Sequence, residues 1–390
     1  MKPIKNLPLR VIDFDFNLLC EVDQYTSLQL TRSDADVGLL ELQINRYMQY
    51  ADLLKKGLII FPENQLHKAY IVRHREIELD ENGKATENWL IKAQSLKSFA
   101  TQRLIYPAVG KTHESVTGTV ETVMRHFVNT QMINPSDPNR KFPNLVLAPN
   151  QNRGVRISEQ SRYDNLAEKL TELSQLHHLG WNIVLDFTNK QFVFTVMQGL
   201  DLTASQQERP AAIFSTEFET LESLSYLESD LEYKNFAVVA GQGEGLDRRI
   251  ISVGDTSSVG PDRFEMFVDA RDVSEETDDD EPQPRPVGDI IADLTKRGSE
   301  KLSEHVQEVF LNGQALTSSR LMYERDYDLG DTVTLQDKGW GVTMDTRITE
   351  VCEIYEYGVR KIELVFDKDR PTFMSKIKKE IAAINPELKK

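Results

Sequence analysis

The stretch YERDYDLGDTVTLQDKG, residues 323–339, sets Asp326, Asp328, Asp331 and Asp337 around a glycine. Acids at such spacing can offer several oxygens to a hard cation such as calcium. A helix–loop–helix calcium site starting at Asp326 needs glycine at its sixth position and glutamate at its twelfth. The chain has Asp331 and Asp337 there. The segment TVTL after Asp331 reads as a strand, where such a loop opens a helix. The other reading is an acidic turn that delivers the chain into a β-strand, and the spacing favours it.

Other segments invite chemistry and fail similar tests. VVAGQGEGLDRR places Gly241, Gly243 and Gly245 after a strand, but a dinucleotide fingerprint puts its third glycine where Leu246 stands. It also requires a helix next, and RRIISV reads as a strand, so a glycine-rich hairpin is expected. Gly110, Lys111 and Thr112 lack the earlier glycine of a phosphate-binding loop, because Ile105 occupies that position. His177 and His178 face different sides at a predicted helix end, where protonation suits the helix dipole. Cys20 and Cys352 lie far apart, in no metal spacing and with no histidine beside them in sequence, as in a protein folded in a reducing cytoplasm. No GxSxG elbow or HExxH helix occurs. No catalytic, cofactor-binding or metal-binding residue is therefore assigned, and no enzyme activity or cofactor is expected.

Composition sets further bounds. The chain has 390 residues, 39% hydrophobic and 28% charged, as in globular proteins with substantial cores. It contains no apolar run long enough to span a bilayer, and its first residues lack the apolar centre of a secretion signal. Sixty-two acids against 46 bases give a net charge of −16, which repels phosphate and argues against a nucleic-acid-wrapping groove. The lysine-rich C-terminus places Phe373, Ile377, Ile381 and Ile384 at helical spacing, as in a short amphipathic helix docked on protein.

The periodicity gives the elements that must position these residues. Leu28 and Leu30, then Leu40, Leu42 and Ile44, alternate with polar residues as strands do. AYIVRHREIEL, the turn DENGK and NWLIKAQS continue a curved antiparallel sheet or small barrel. The period then becomes helical. Val120, Val123, Phe127 and Val128 form one stripe, capped by Thr117 or Thr119. Leu166, Leu170, Leu173 and Leu176 form another, with Gly180 at its C-terminal cap. WNIVLDF-TNK-QFVFTV reads as a hairpin, and β character returns after residue 210. SEETDDDEPQPRPVGD reads as an exposed acidic linker, followed by a helix near Ile290 and a last β region.

Two distant segments echo one another. Gly57 precedes LIIF, a long strand with Val72, Arg73, Glu76 and Ile77, a turn at Gly83 and a strand with Ile91. Gly330 precedes DTVTL, a strand with Arg347, Ile348, Glu350 and Val351, a turn at Gly358 and a strand ending at Phe366. Meandering sheets share such a layout by default; the sharper reading is a duplicated β-domain.

Taken in order, LRVIDFDFNLLCEVDQYTSLQLTRSDADVGLLELQIN, LHHLGWNIVLDF, NFAVVAGQGEGLDRRIISVG and YERDYDLGDTVTLQDKG resemble the siphophage tail-protein family of the baseplate hub, or Tal-like, class. The resemblance runs from about Leu9 to Phe366. It implies a structural hub, similar to that of contractile tails, in which three chains place six similar β-barrel-like domains around a channel and adapt a six-fold tube to a three-fold tip. The partners it implies are a tail tube or distal tail protein on one side and tip, spike or fibre proteins on the other. Phage DNA would pass without specific binding, which suits an acidic wall. The place it implies is the virion, assembled in the bacterial host cytoplasm.

The expected fold is α+β and mainly β: a first β-barrel-like hub domain (1–105), an α/β insert (106–200) and a second hub domain (201–273 and 305–368). A linker plus helix (274–304) and the C-terminal amphipathic helix (369–390) complete it. A different class remains open: a carbohydrate-binding protein or cell-wall hydrolase at the tail tip. Trp89, Trp181 and Trp340 are of the type that stacks on sugars, although single tryptophans are more often core residues.

Overall fold

Gly57 and Gly330 adopt φ angles of 91° and 92°, a region that a side chain disfavours, and each turns the chain into a strand. The computed structural model describes residues 6–78, 87–245, 248–276, 283–305, 307–315, 319–356 and 358–366. The turn at Gly83, residues 277–282 of the linker and the C-terminal helix expected at 369–390 lie outside them. The described chain forms two compact units, one from Met1–Ser225 with Asn312–Asp369, the other from Tyr226–Leu311.

In the first unit, seven strands come before any helix of note: β1 (Leu9–Ile12), β2 (Leu18–Val22), β3 (Ser27–Ser33), β4 (Leu39–Asn45), β5 (Ile59–Pro62), β6 (Tyr70–Glu76) and β7 (Asn88–Ser95). They pair antiparallel in the order β3-β4-β7-β6-β5-β1-β2. The alternating leucines do what their period requires. Leu28, Leu30, Leu40, Leu42 and Ile44 point to one buried face, which Val11, Ile60, Tyr70 and Val72 complete. β5 is buried on both faces, which explains its unbroken IIFP run.

The second face of β5 and β6 packs against the insert. Its elements are β8 (Glu114–Thr119), α1 (Val120–Val128), β9 (Leu145–Leu147), β10 (Arg156–Ser161), α2 (Leu166–His177), β11 (Gly180–Asp186) and β12 (Gln191–Met197). Thr119 caps α1 through the Thr122 amide, one of the two expected caps. The stripes of α1 and α2 meet Ile59, Phe61 and Ile71, so insert and sheet share one core. Two details differ from the periodicity. Leu176 is 41% exposed, and the left-handed cap of α2 is His178 (φ 53°), not Gly180. Gly180 instead opens β11, where a Cβ would stand 3.3 Å from the Asp34 backbone oxygen.

The chain continues through β13 (Asp201–Leu202), β14 (Ile213–Phe214) and β15 (Leu221–Ser229). The second unit then forms around β16 (Phe236–Ala240), β17 (Ile250–Gly254), β18 (Glu265–Asp269) and α3 (Val287–Ser303). Its sheet, β17-β16-β18, buries Ala237, Val239 and Val268 under Ile290 and Leu294 of α3. Gly298 permits that approach, because a Cβ there would come within 2.6 Å of Val239. The first unit resumes within β19 (Glu308–Ala315), at Asn312, and continues through β20 (Thr332–Asp337), β21 (Val342–Glu356) and β22 (Val359–Phe366).

These last strands repeat the first set. The order β3-β4-β7-β6-β5 is matched by β15-β19-β22-β21-β20, in the same chain order. The match extends to individual hydrogen bonds. The Gly57 amide donates to Val72 O (2.9 Å) while the Val72 amide donates to Leu58 O (2.8 Å). The Gly330 amide donates to Ile348 O (2.8 Å) while the Ile348 amide donates to Asp331 O (2.9 Å). A register shift follows at once in both middle strands, between Val72 and His74 and between Ile348 and Glu350.

The expected pair of barrel-like domains is corrected in one respect: no closed barrel forms among the described residues. Closing the first would require β2 to pair with β3, but β3 pairs antiparallel with β21, from Ser33↔Glu350 to Ser27↔Glu356. At 15 residues, β21 is long enough to pair with β20 over its first part and with β3 over its last. Both copies therefore lie in one open sheet.

Candidate functional site

The seam where β3 meets β21 collects ionic groups that sequence would place on a surface. Lys68, in the turn before β6, has its ammonium fully buried. It bonds Glu353 of β21, itself 1% exposed, and Glu324 at 3.0 Å. The other Glu353 oxygen accepts from Arg360 of β22 (2.7 Å) and from the Tyr355 hydroxyl (2.8 Å). Burial alone would raise the Glu353 pKa; Lys68 and Arg360 outweigh it and lower it.

The acidic stretch at residues 323–331 docks here. Arg32 of β3 donates to the Tyr323 hydroxyl and meets Asp328 at 3.0 Å and Glu324 at 3.4 Å. Burial would lower the Arg32 pKa, and Tyr323, Asp328 and Glu324 raise it instead. Glu324 also accepts from His67 at 2.8 Å. Despite partial burial, its pKa falls to about 2, through His67 and Lys68. Asp328 pairs with Arg32 while its side chain stays 45% exposed.

The remaining acids serve the chain itself. Asp331 accepts the Leu200 and Asp328 amides, both at 2.7 Å, and burial raises its pKa. Asp326 accepts the Met322 amide at 2.8 Å and pairs with Arg325 at 2.7 Å. Asp337 accepts the Trp340 amide at 2.9 Å. Their oxygens point to separate amides and guanidiniums, and among the described residues no three ligand-type side chains converge on a metal position.

A second cluster sits at the end of β3. Arg347 pairs with Asp34 at 2.9 Å, and burial still holds the Asp34 carboxyl above the usual range. Lys97 donates to the Ser33 and Asp34 carbonyls, 2.8 and 2.9 Å away, over the Trp181 ring. Burial lowers its pKa to about 7. Such a value would suit a catalytic lysine, but this ammonium is enclosed and spent on main-chain carbonyls. The cavity beside Arg32, Lys68, Tyr70 and Lys97 measures about 20 Å³. That is room for about one water and for no substrate.

The other sequence candidates lie apart. Gly241, Gly243 and Gly245 follow β16, and the strand β17 pairs back antiparallel, as the hairpin reading expects. His177 closes α2, where burial lowers its pKa, opposite to the protonation expected there. Trp181 is fully buried, Trp89 lies under Arg75 at 3.8 Å, and Trp340 is 52% exposed in the β20–β21 turn. The three do not form one sugar platform. Sequence reasoning missed Lys68, Lys97 and Glu353, whose partners lie far away in sequence.

The arrangement can hold two strands in fixed register. Lys68 and Glu353 each keep a second ionic partner, so removing one contact costs about 1–3 kcal/mol, as for a buried polar group that loses one bond.

Comparison with known proteins agrees with the fold. The family model described as Siphovirus ReqiPepy6 Gp37-like protein matches residues 8–366. No curated protein sequence matches the chain. Among solved structures it is similar to the prophage MuSo2 43 kDa tail protein from Shewanella oneidensis, at 9% identity and TM-score 0.54, covering 93% of this chain and 98% of that one. It is also similar to a tail protein from Neisseria meningitidis MC58 (13%, 0.52, covering 93% and 97%). Prophage tail protein gp18 from Listeria monocytogenes EGD-e is a third (12%, 0.51, covering 97% and 99%). At these identities the likeness is one of fold.

Proposed function

We propose, from the premise that this chain belongs to the Siphovirus ReqiPepy6 Gp37-like protein family and is a phage or prophage tail protein, that it is the structural hub of the tail tip. The observation that carries the reading is the duplication of a five-strand motif, down to the paired hydrogen bonds at Gly57 and Gly330. A chain with two equivalent motifs presents twice as many similar surfaces as there are chains in a ring. Three chains would offer six to a tail tube and three to a tip. The charge of −16 supports a channel wall that does not retain DNA phosphates.

In this reading the buried ions of the seam keep the two motifs of one chain at fixed spacing, and the chain contributes architecture rather than catalysis. Light scattering on the purified chain and immunolabelling of virions test it. A trimer and label at the tail tip are expected. Monomers at every concentration, with no label on particles, would reject it.

A further inference from the structure

A cluster of tyrosines and arginines on the insert takes no part in the core or the seam. Tyr106 and Tyr163 are both half-exposed and stand edge to face, with ring centres 5.7 Å apart. Arg140 lies over the Tyr106 ring at 3.9 Å, and Arg162 over the Tyr163 ring at 5.2 Å. The cluster is held in place from beneath. Residues Asn129–Ile133 form a single π turn, a rare conformation found mostly at functional sites. This turn carries the buried Gln131, whose side-chain amide bonds both main-chain groups of Tyr106 at 3.0 Å. The same Gln131 oxygen accepts from Arg140 at 3.1 Å. Tyr163 has a φ of 62°, a left-handed conformation that costs a residue with a side chain. Its amide donates to the Ile105 carbonyl at 2.8 Å, and the Ile105 amide donates to the Asp164 carbonyl at 2.9 Å. Those two bonds hold the strained tyrosine beside the segment of Tyr106.

Charge decides what such a cluster can receive. Acids outnumber bases by 62 to 46, yet among the described residues Arg103, Arg140 and Arg162 pair with no carboxylate. Arg103 donates to the Arg140 and Gln102 carbonyls, and Arg140 to the Leu104 carbonyl. The acids nearest to them in sequence are already engaged. Asp137 accepts the Asn139 amide at 2.9 Å, Asp164 the Ser161 hydroxyl at 2.7 Å, and Glu159 pairs with Lys169 at 3.0 Å. Guanidiniums free of carboxylates can take one in the two-pronged geometry that suits both groups.

We propose that Tyr106, Tyr163, Arg140 and Arg162 form a docking site for an acidic segment of a partner protein, whose aspartate or glutamate side chains the two guanidiniums receive. Tyrosine and arginine are the types that most often anchor protein interfaces, and anchors fixed before binding lose less freedom on docking. Sugars and nucleic acids fit this cluster less well. Each ring has a guanidinium on one face and the rings meet at 85°, so they offer no continuous platform for successive sugars or bases. A long polyanion would also meet the net charge of −16, whereas a short acidic segment meets the local cations. The site belongs to the insert and stands apart from the ring reading: peptide binding can fail while trimers form at the tail tip, and can hold where they do not.

The test is fluorescence anisotropy of a labelled decaglutamate peptide with the full-length chain at low ionic strength. Saturable binding is expected, and Arg162→Glu should weaken it about tenfold or more. Arg162 is exposed, so the melting temperature of that variant should stay within about 2 °C of the unaltered chain. Tyr163→Gly separates the site from the fold. It relieves the left-handed strain, so the melting temperature should hold or rise while binding weakens about tenfold. An oligothymidylate of equal length and polygalacturonate should each bind about tenfold more weakly than the peptide. No peptide binding, or binding that tolerates Arg162→Glu or Tyr163→Gly, would overturn the proposal. Equal binding of either other polyanion would overturn the assigned partner class. A fall in the melting temperature of Tyr163→Gly would assign that residue to the fold and overturn its place in the site.

Discussion

In the first sheet motif the face enclosed by the strands holds Leu28, Leu40, Leu42, Ile60 and Val72, while the second motif meets it through Glu353, Lys68, Arg32 and Glu324. The backbones follow one plan, with matching strand order, glycine turn and register shift. Their flanks diverge as well. β1 runs antiparallel beside β5, whereas the short β13 and β14 run parallel beside β20. The difference teaches that main-chain hydrogen bonding preserves the motif while side chains assign each copy its task. One copy makes an apolar core with the insert. The other meets it at a polar seam, to which Arg32 and Lys68 of the first motif and Glu324 and Glu353 of the second contribute.

The sharpest break of that comparison is Lys68→Met. It takes the ammonium from one Glu353 oxygen while Arg360 and Tyr355 still hold the other, so chemical denaturation should show a loss of about 1–3 kcal/mol. A loss below about 1 kcal/mol would mean that the seam does not organise the second motif. The two glycines give the next test. Alanine at either carries left-handed strain of about 1–2 kcal/mol. At Gly330 the added Cβ also stands 3.3 Å from the Arg347 guanidinium, whereas nothing lies within 4 Å of it at Gly57. Gly330→Ala should therefore be the more destabilising of the two; equal losses would deny the seam's tighter packing.

The smallest effect is a pH dependence. The Glu324 pKa is lowered to about 2, from an ordinary value of 4.5. A carboxylate lowered in the folded state contributes stability that is present above about 4.5 and lost as pH falls toward 2. Between those values the wild-type melting temperature should fall more steeply than that of Glu324→Gln. Parallel curves would place Glu324 outside the ionic network.

Much of the scaffold was legible because it rests on local rules. Alternating leucines, the Thr119 cap and the two glycines each carry their physical reason in neighbouring residues. Gly180 misled because it serves the close approach of Asp34, far away in sequence, at the start of β11, while His178 caps the helix. The pairing of β15 with β19 was hidden by the second unit, which is inserted between them and has a sheet of its own. The seam was least legible. A lysine or glutamate reads as surface unless its partner is known, and Lys68 and Glu353 are 285 residues apart. The acidic stretch at 323–331 revealed its turn but not Arg32, the residue that explains Asp328.

A reconstruction of the tail tip tests the central claim most directly. Three copies of this chain around the tail axis, displaying six sheet motifs, are expected. A single motif per subunit contacting the axis, or a position away from the tail channel, would contradict it.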